Sequence, residues 1–305
     1  MKVKVKDIEC LVIHHNDADG ISAAGIVGYF EGQFKYFEET GFYKKCHMYK
    51  MNYGYSVPWN LIERAQLVYM VDFGLQPFDD MVKVKDIVGY DNFIWIDHHK
   101  TAIEDMKNSG QSFKGIQRIG DAGCELTWEW FTADKNYPVG IQLLGRYDVW
   151  DLDFHEDVLI YQTGIRFKSP EADNTSFWKK VIENDAELHE EILNVGEICF
   201  DYQTQLNESY CKSHSFDLIF ENHRFLAANA MSVNSQLFDS KFNHMDYDAV
   251  LTFGFTNGGW TVSMYTDKEN VDVGSIAKKY GGGGHMRAAG FQCQIIPFTL
   301  PYKIK

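Results

Sequence analysis

Three short apolar runs in this 305-residue chain each end in residues that could hold a cation or move a proton. Cys10-Leu11-Val12-Ile13 leads into His14-His15-Asn16-Asp17-Ala18-Asp19-Gly20. Leu67-Val68-Tyr69-Met70-Val71 leads into Asp72, and Phe93-Ile94-Trp95-Ile96 into Asp97-His98-His99. A fourth acid, Asp148, closes a helical-looking stretch. Imidazole and carboxylate are both metal ligands, and strand ends hold ligands more rigidly than free loops. His15, Asp17 and Asp19 alternate along one tight turn, with Gly20 expected to let the chain swing into a helix. Three such ligands within five residues can serve two adjacent cations if Asp72 bridges them and His98 and Asp148 complete the other side. The set contains no thiolate, which favours Mn²⁺, with Co²⁺ or Mg²⁺ next, over a structural zinc. Asp97 is expected to orient an imidazole, because ligating histidines usually donate their other N–H to an acceptor. An Asx turn and helix N-cap would account for Asp17 and Asp19 but not for the other acids. Two cations about 4 Å apart acidify a shared water and clamp the oxygens of a phosphoryl centre, so phosphoester hydrolysis through a bridging hydroxide is the expected chemistry.

A second constellation is Gly281-Gly282-Gly283-Gly284-His285-Met286-Arg287. Backbone N–H groups of such a run can converge on an anion, and a short helix is expected to start at His285. No Gly-Lys-Ser/Thr follows, so this is not a Walker loop. Gly282, Gly283, Gly284, His285 and Arg287 are therefore expected to bind the substrate's phosphate or carboxylate. Tyr147 and Trp150, beside Asp148, fit base stacking or a core role equally well.

These groups need a scaffold, and the first 150 residues supply alternating strand and helix patterns. Strands are expected at 9–13, 46–51, 67–71 and 93–96, and helices at 22–30, 77–88, 123–131 and 139–147, with Pro77 inside the first turn of its helix. This alternation implies a parallel sheet, and continuously apolar strands fit a sheet covered on both faces. Ligand sites in such sheets lie beyond the carboxyl ends of the strands, where the motifs sit. Residues 176–212 read as a long, charged helix joining two domains. Beyond it, strands at 216–220 and 223–228 flank Glu221-Asn222, and strands at 249–255 and 260–266 flank Asn257-Gly258-Gly259. Asp272 is placed to cap a helix running through Lys279, and a last strand covers 291–296. The fold class is thus α/β: a parallel-sheet domain (1–175), a helical linker (176–212) and a smaller α+β domain (213–305).

Composition limits the partners. Net charge is −14 and no basic tract exists, which argues against long nucleic acid, whose binding draws its affinity from phosphate neutralisation. A short anionic substrate is compatible if divalent cations supply positive charge locally. No apolar run approaches membrane-spanning length, and Met1-Lys2-Val3-Lys4 does not open a signal peptide. The six scattered cysteines, without a CxxC pair, suit reduced thiols in the cytoplasm. The sequence leaves room for a homodimer.

His15-x-Asp17-x-Asp19-Gly20, Asp72, Asp97-His98-His99 and Asp148 resemble the four motifs of the DHH phosphoesterase superfamily. Gly282-Gly283-Gly284-His285 resembles the signature of its associated C-terminal domain. The resemblance implies a two-domain, di-manganese hydrolase with a cleft closed by the second domain. It implies that His15 and Asp17 hold one ion, that Asp19, His98 and Asp148 hold the other, and that Asp72 bridges. His99, His285 and the glycines would face the substrate phosphate. The layout is similar to the oligoribonuclease and 3′,5′-bisphosphate phosphatase branch, which implies short oligonucleotides or linear dinucleotides cleaved to mononucleotides. Bisphosphate or cyclic dinucleotide substrates, and a nucleotide sensor on the same fold, are the alternatives. One position departs: that branch commonly carries an arginine where this chain reads Val262-Ser263-Met264-Tyr265-Thr266.

Overall fold

The computed structural model describes residues 6–32, 46–151, 156–231, 233–256, 258–284 and 286–301. The chain divides into two compact units, 1–200 and 201–305.

The first unit carries β1 (Ile8–His15), α1 (Ala18–Glu31), β2 (Cys46–Met51), α2 (Trp59–Ile62), β3 (Ala65–Val71), α3 (Asp79–Val88), β4 (Phe93–Asp97), α4 (Lys100–Ser109) and β5 (Lys114–Gln117). Then follow α5 (Gly123–Thr132), α6 (Val139–Asp148), α7 (Glu156–Lys168), α8 (Thr175–Ile182) and α9 (Ala186–His214), within which the division falls. The strands form one parallel sheet in the order β2-β1-β3-β4-β5. Alternation along the strands explains their unbroken apolar sequence. Cys10 and Val12 of β1, Tyr69 and Val71 of β3, and Ile94 and Ile96 of β4 join one core, with α1, α5 and α6. Leu11 and Ile13, Val68 and Met70, and Phe93 and Trp95 join the opposite core, with α3 and α4. Both faces are therefore dry, as expected for a parallel sheet. β1 pairs with β2 on one side and β3 on the other, so the strand order reverses between β1 and β3. Open parallel sheets place their crevice at that point, beyond the carboxyl ends.

The second unit holds β6 (Ser215–Phe220), β7 (His223–Asn229), β8 (Ala249–Thr256), β9 (Gly259–Tyr265), α10 (Val273–Lys279), β10 (Gly283–Gly284) and β11 (Ala288–Cys293). Their sheet has the order β10-β11-β9-β8-β7-β6, with only β7 and β8 parallel. Glu221 and Asn222 adopt φ of 47° and 62°, the left-handed pair that a tight two-residue hairpin requires. β8 and β9 pair as far as Thr256↔Gly259, and Asn257 of the turn between them lies outside the described residues. Asp272 caps α10 by accepting from Ser275 N at 2.9 Å.

The α/β architecture is the one the sequence implies, with local corrections. α1 starts at Ala18, not after Gly20, because Asp17 caps it by accepting from Gly20 N at 2.9 Å. α3 starts at Asp79, so Pro77 precedes the helix rather than occupying its first turn. The expected single helix over 176–212 is two. α8 ends before Glu183, Asn184 takes φ of 55°, and Asp185 Oδ1 accepts from Leu188 N at 2.9 Å as α9 begins. The last strand spans Ala288–Cys293 rather than 291–296, because its partner β9 runs out at Cys293↔Trp260. α2, α4, β5 and α7 were not expected from the sequence. Among the described residues no helix is long and apolar enough to cross a membrane.

Trp178 of α8 is fully buried against Gly25 of α1, where an added Cβ would lie 2.5 Å from the indole ring. Trp178→Ala should therefore lower the unfolding free energy by about 3–5 kcal/mol. A thermal or urea unfolding midpoint that stays at the wild-type value would show that this contact does not hold α8 to α1.

Candidate metal centre

β1, β3 and β4 end side by side, and each delivers one element of the centre. His15 is the last residue of β1, Asp72 follows β3, and Asp97, His98 and His99 close β4. Asp148 comes from the last turn of α6. His15, Asp17 and Asp72 offer donor atoms all within 4.8 Å of one another. Asp19, His98 and Asp148 do the same, as do Asp72, His98 and His99.

Asp72 joins these groups. Its Oδ2 lies 3.7 Å from His15 Nδ1, while its Oδ1 lies 3.1 Å from His98 Nε2 and 3.8 Å from His99 Nδ1. The residue is 1% exposed, and neither oxygen has a hydrogen-bond partner. Its φ of 53° is unusual for a non-glycine residue, the kind of local strain that concentrates at functional sites. Asp19 is also buried, 3.8 Å from His98 Nε2, and Asp148 Oδ2 is 3.3 Å from the same nitrogen. Burial, followed by repulsion from neighbouring carboxylates, pushes the Asp19 carboxyl well above its ordinary range. Burial likewise raises Asp72. Burial opposes charge on the two imidazoles, yet the close acids reverse this. Asp17 and Asp72 push His15 up to about 10, and Asp97 and Asp72 push His99 up to about 9. Such an anionic, unsatisfied cluster is costly unless a cation balances it. The residues thus fit divalent ions: two groups of mixed carboxylate and imidazole donors share one carboxylate whose oxygens diverge.

Three of the acids are fixed by separate anchors. Asp17 uses Oδ1 to cap α1, while its Oδ2 lies 2.6 Å from His15 Nδ1. The N-cap and the cluster role are therefore compatible. Asp19 accepts from Gly123 N at 2.7 Å and Cys124 N at 2.8 Å, at the start of α5. Asp97 is fully buried, and its Oδ1 accepts from His98 N and His99 N and lies 2.7 Å from His99 Nδ1. It positions His99 and stands outside the three donor groups. Gly20 lies inside α1, and its lack of a side chain serves close approach rather than a swing, since a Cβ there would sit 2.4 Å from His15 O.

Sequence reasoning missed several neighbours. Tyr53, after β2, is 50% exposed with its ring 6.0 Å from His15 and 4.9 Å from Phe73. The exposed Asn52-Tyr53-Gly54-Tyr55 turn was the available signal. His14 is fully buried with Nδ1 2.7 Å from His15 O, and burial lowers it to about 4. Trp150 is half exposed, which removes the core reading.

The glycine motif belongs to the second unit, and no helix starts at its end. Gly283 and Gly284 form β10, paired with Gly290 and Ala289 of β11, because a two-residue arm of bare backbone can lie flat on the sheet edge. Gly282 packs against β11, where a Cβ would lie 2.1 Å from Gly290 O, and Arg287 is exposed. His285 lies outside the described residues.

If the cluster holds divalent cations, adding Mn²⁺ should raise the melting temperature and a chelator should reverse the rise. Asp72→Asn should abolish most of that Mn²⁺-dependent shift. An undiminished shift in the variant, read by differential scanning calorimetry, would remove Asp72 from the ion site.

No family model matches the sequence. Among curated relatives, the chain is 25% identical to the uncharacterized protein R106 of Acanthamoeba polyphaga mimivirus, over 97% of this chain and 70% of that protein. It is 27% identical to oligoribonuclease NrnB of Bacillus subtilis, over 64% of this chain and 51% of that protein, so it spans about half the length of that relative. Among solved structures, the DHH domain of a member of a family of ribosomal proteins superposes with a TM-score of 0.58 at 13% identity, covering 92% of this chain and 82% of that one. The pGpG-specific phosphodiesterase PggH of Vibrio cholerae gives 0.51 at 13% identity, covering 93% and 92%. The chain thus shares the fold of these DHH-domain and phosphodiesterase structures, with its own acidic and histidine motifs gathered at the strand ends.

Proposed function

We propose that this protein is a divalent-metal-dependent phosphodiesterase that cleaves short oligonucleotides or linear dinucleotides to mononucleotides. The observation that carries the reading is Asp72, buried without a hydrogen-bond partner, with one oxygen toward His15 and the other toward His98. His15 and Asp17 would hold one ion and Asp19, His98 and Asp148 the other, with Mn²⁺ favoured over Mg²⁺ or Co²⁺ by the mixed donor set. When bound, the ions would supply Lewis acidity at the phosphoryl oxygens and an acidified water. The protein's own groups do the rest. Asp97 engages His99 through Nδ1 and leaves Nε2 as the nitrogen available to a phosphoryl or leaving-group oxygen. Tyr53 offers an exposed ring beside His15. Gly282, Gly283, Gly284, His285 and Arg287 are proposed as further phosphate contacts.

Short substrates are favoured by the net charge of −14. The activities named for the oligoribonuclease NrnB and the pGpG phosphodiesterase support the same substrate class. Six free cysteines, four of them buried, suit a cytoplasmic protein.

A panel of a 5′-phosphorylated diribonucleotide, short RNA and DNA oligomers, a cyclic dinucleotide and a nucleoside 3′,5′-bisphosphate, each with Mn²⁺, tests the proposal by chromatography of products. Mononucleotide release from the linear diesters is expected, and His99→Ala should slow it at least a hundredfold. Preferred release of inorganic phosphate from the bisphosphate would replace the diesterase reading with a monoesterase one. Inertness toward every substrate would end both.

A further inference from the structure

A cavity of about 460 Å³ opens in the first unit directly beside Asp17, between the start of α1 and the carboxyl end of α7. Its size is that of ordinary small-ligand pockets. Ile21, Ile165 and Trp178 give it an apolar lining. Gln162 also lines it and is 8% exposed, and its side chain makes no hydrogen bond with any described residue; its Oε1 is buried without a partner. Leaving a buried amide unsatisfied is unfavourable, and such groups in folded proteins call for a partner. Two cations complete the lining in an otherwise acidic chain. Lys50 pairs with Glu171, while Arg166 forms no ion pair with any described residue.

Apolar walls, a lone buried amide and an uncommitted guanidinium are the complement of a nucleoside carrying a phosphate. The base would fill the apolar space, the amide would hydrogen-bond its polar edge, as amide side chains do with nucleobases, and the guanidinium would meet the phosphate. A simple anion would use only the cations and leave Gln162 and the apolar walls unexplained. A purely apolar ligand would leave Gln162 and Arg166 unexplained.

We infer that the cavity walled by Gln162, Arg166, Ile165 and Trp178 is a nucleoside subsite that seats one nucleotide of the substrate beside Asp17. The inference rests on the proposed phosphodiesterase reading but is tested without turnover. Equilibrium binding of AMP and GMP is compared with that of inorganic phosphate, by calorimetry on the Mn²⁺-loaded protein. In the wild type both nucleotides should bind more tightly than phosphate. Gln162→Leu should reduce the ratio of nucleotide to phosphate affinity by about tenfold, the loss expected when one good hydrogen bond to the base is removed, whereas Arg166→Glu should weaken nucleotide binding itself by about tenfold, because its contact is to the phosphate. Gln162→Leu should also keep or raise the melting temperature, because it deletes a buried unsatisfied amide, a pattern a merely structural glutamine would not give. Nucleotides binding no more tightly than phosphate, a ratio preserved in Gln162→Leu, or nucleotide affinity preserved in Arg166→Glu would overturn the subsite. Absence of hydrolysis with the ratio behaving as expected would instead sink the phosphodiesterase reading and leave the subsite standing. Should the leucine variant fail to fold, nucleotide affinity in the surface variant Arg166→Glu decides the question alone.

Discussion

Like charges forced together out of water set the terms for the first unit. Asp17, Asp19, Asp72 and Asp148 converge on a few ångströms around His15 and His98, although burial alone would drive such carboxylates apart or neutralise them. The fold withstands this because each acid is placed by a different part of the chain: Asp17 by the helix it caps, Asp19 by two amides opening α5, Asp72 by its place at the reversal of strand order, and Asp148 by the last turn of α6. Parallel strands serve this purpose well, since their carboxyl ends lie together while their bodies are buried on both faces. The energy of two apolar cores thus supports a small polar region that would not hold together alone.

The asymmetry between the two oxygens of a carboxylate recurs through the centre. Asp17 commits one oxygen to a backbone amide and directs the other at His15. Asp97 gathers two backbone amides and the His99 ring on Oδ1, while its Oδ2 is buried without a partner. Asp72 commits neither. The uncommitted acid follows β3, between the β1 and β4 that deliver the two partly anchored ones, so the frame is held on either side of the residue left to meet a cation.

The chemistry-bearing residues were legible because strand ends, carboxylates and imidazoles are local features of the sequence, and the short hairpin at Glu221-Asn222 was legible for the same reason. What was hidden is long-range or weakly patterned. The amides that hold Asp19 come from residues more than a hundred positions away. β5 (Lys114-Gly115-Ile116-Gln117) is a half-buried edge strand without an apolar run, so periodicity could not find it. The break at Asn184 is hidden because apolar spacing continues through it on either side. The glycine run misled in the opposite direction. Its freedom is used to lie against the sheet at β10, not to open a helix. Gln162, a lone amide inside a helix, carries no signal until the space beside it is visible.

Gly123 is where α5 touches the centre: a Cβ there would lie 2.6 Å from the Asp72 side chain and 2.9 Å from Asp19 Oδ2. One peptide therefore gauges the positions of two acids, Asp19 in the first turn of α1 and Asp72 after β3. A side chain at position 123 would press on both acids at once, which makes the bare glycine as restrictive as any of the charged residues around it.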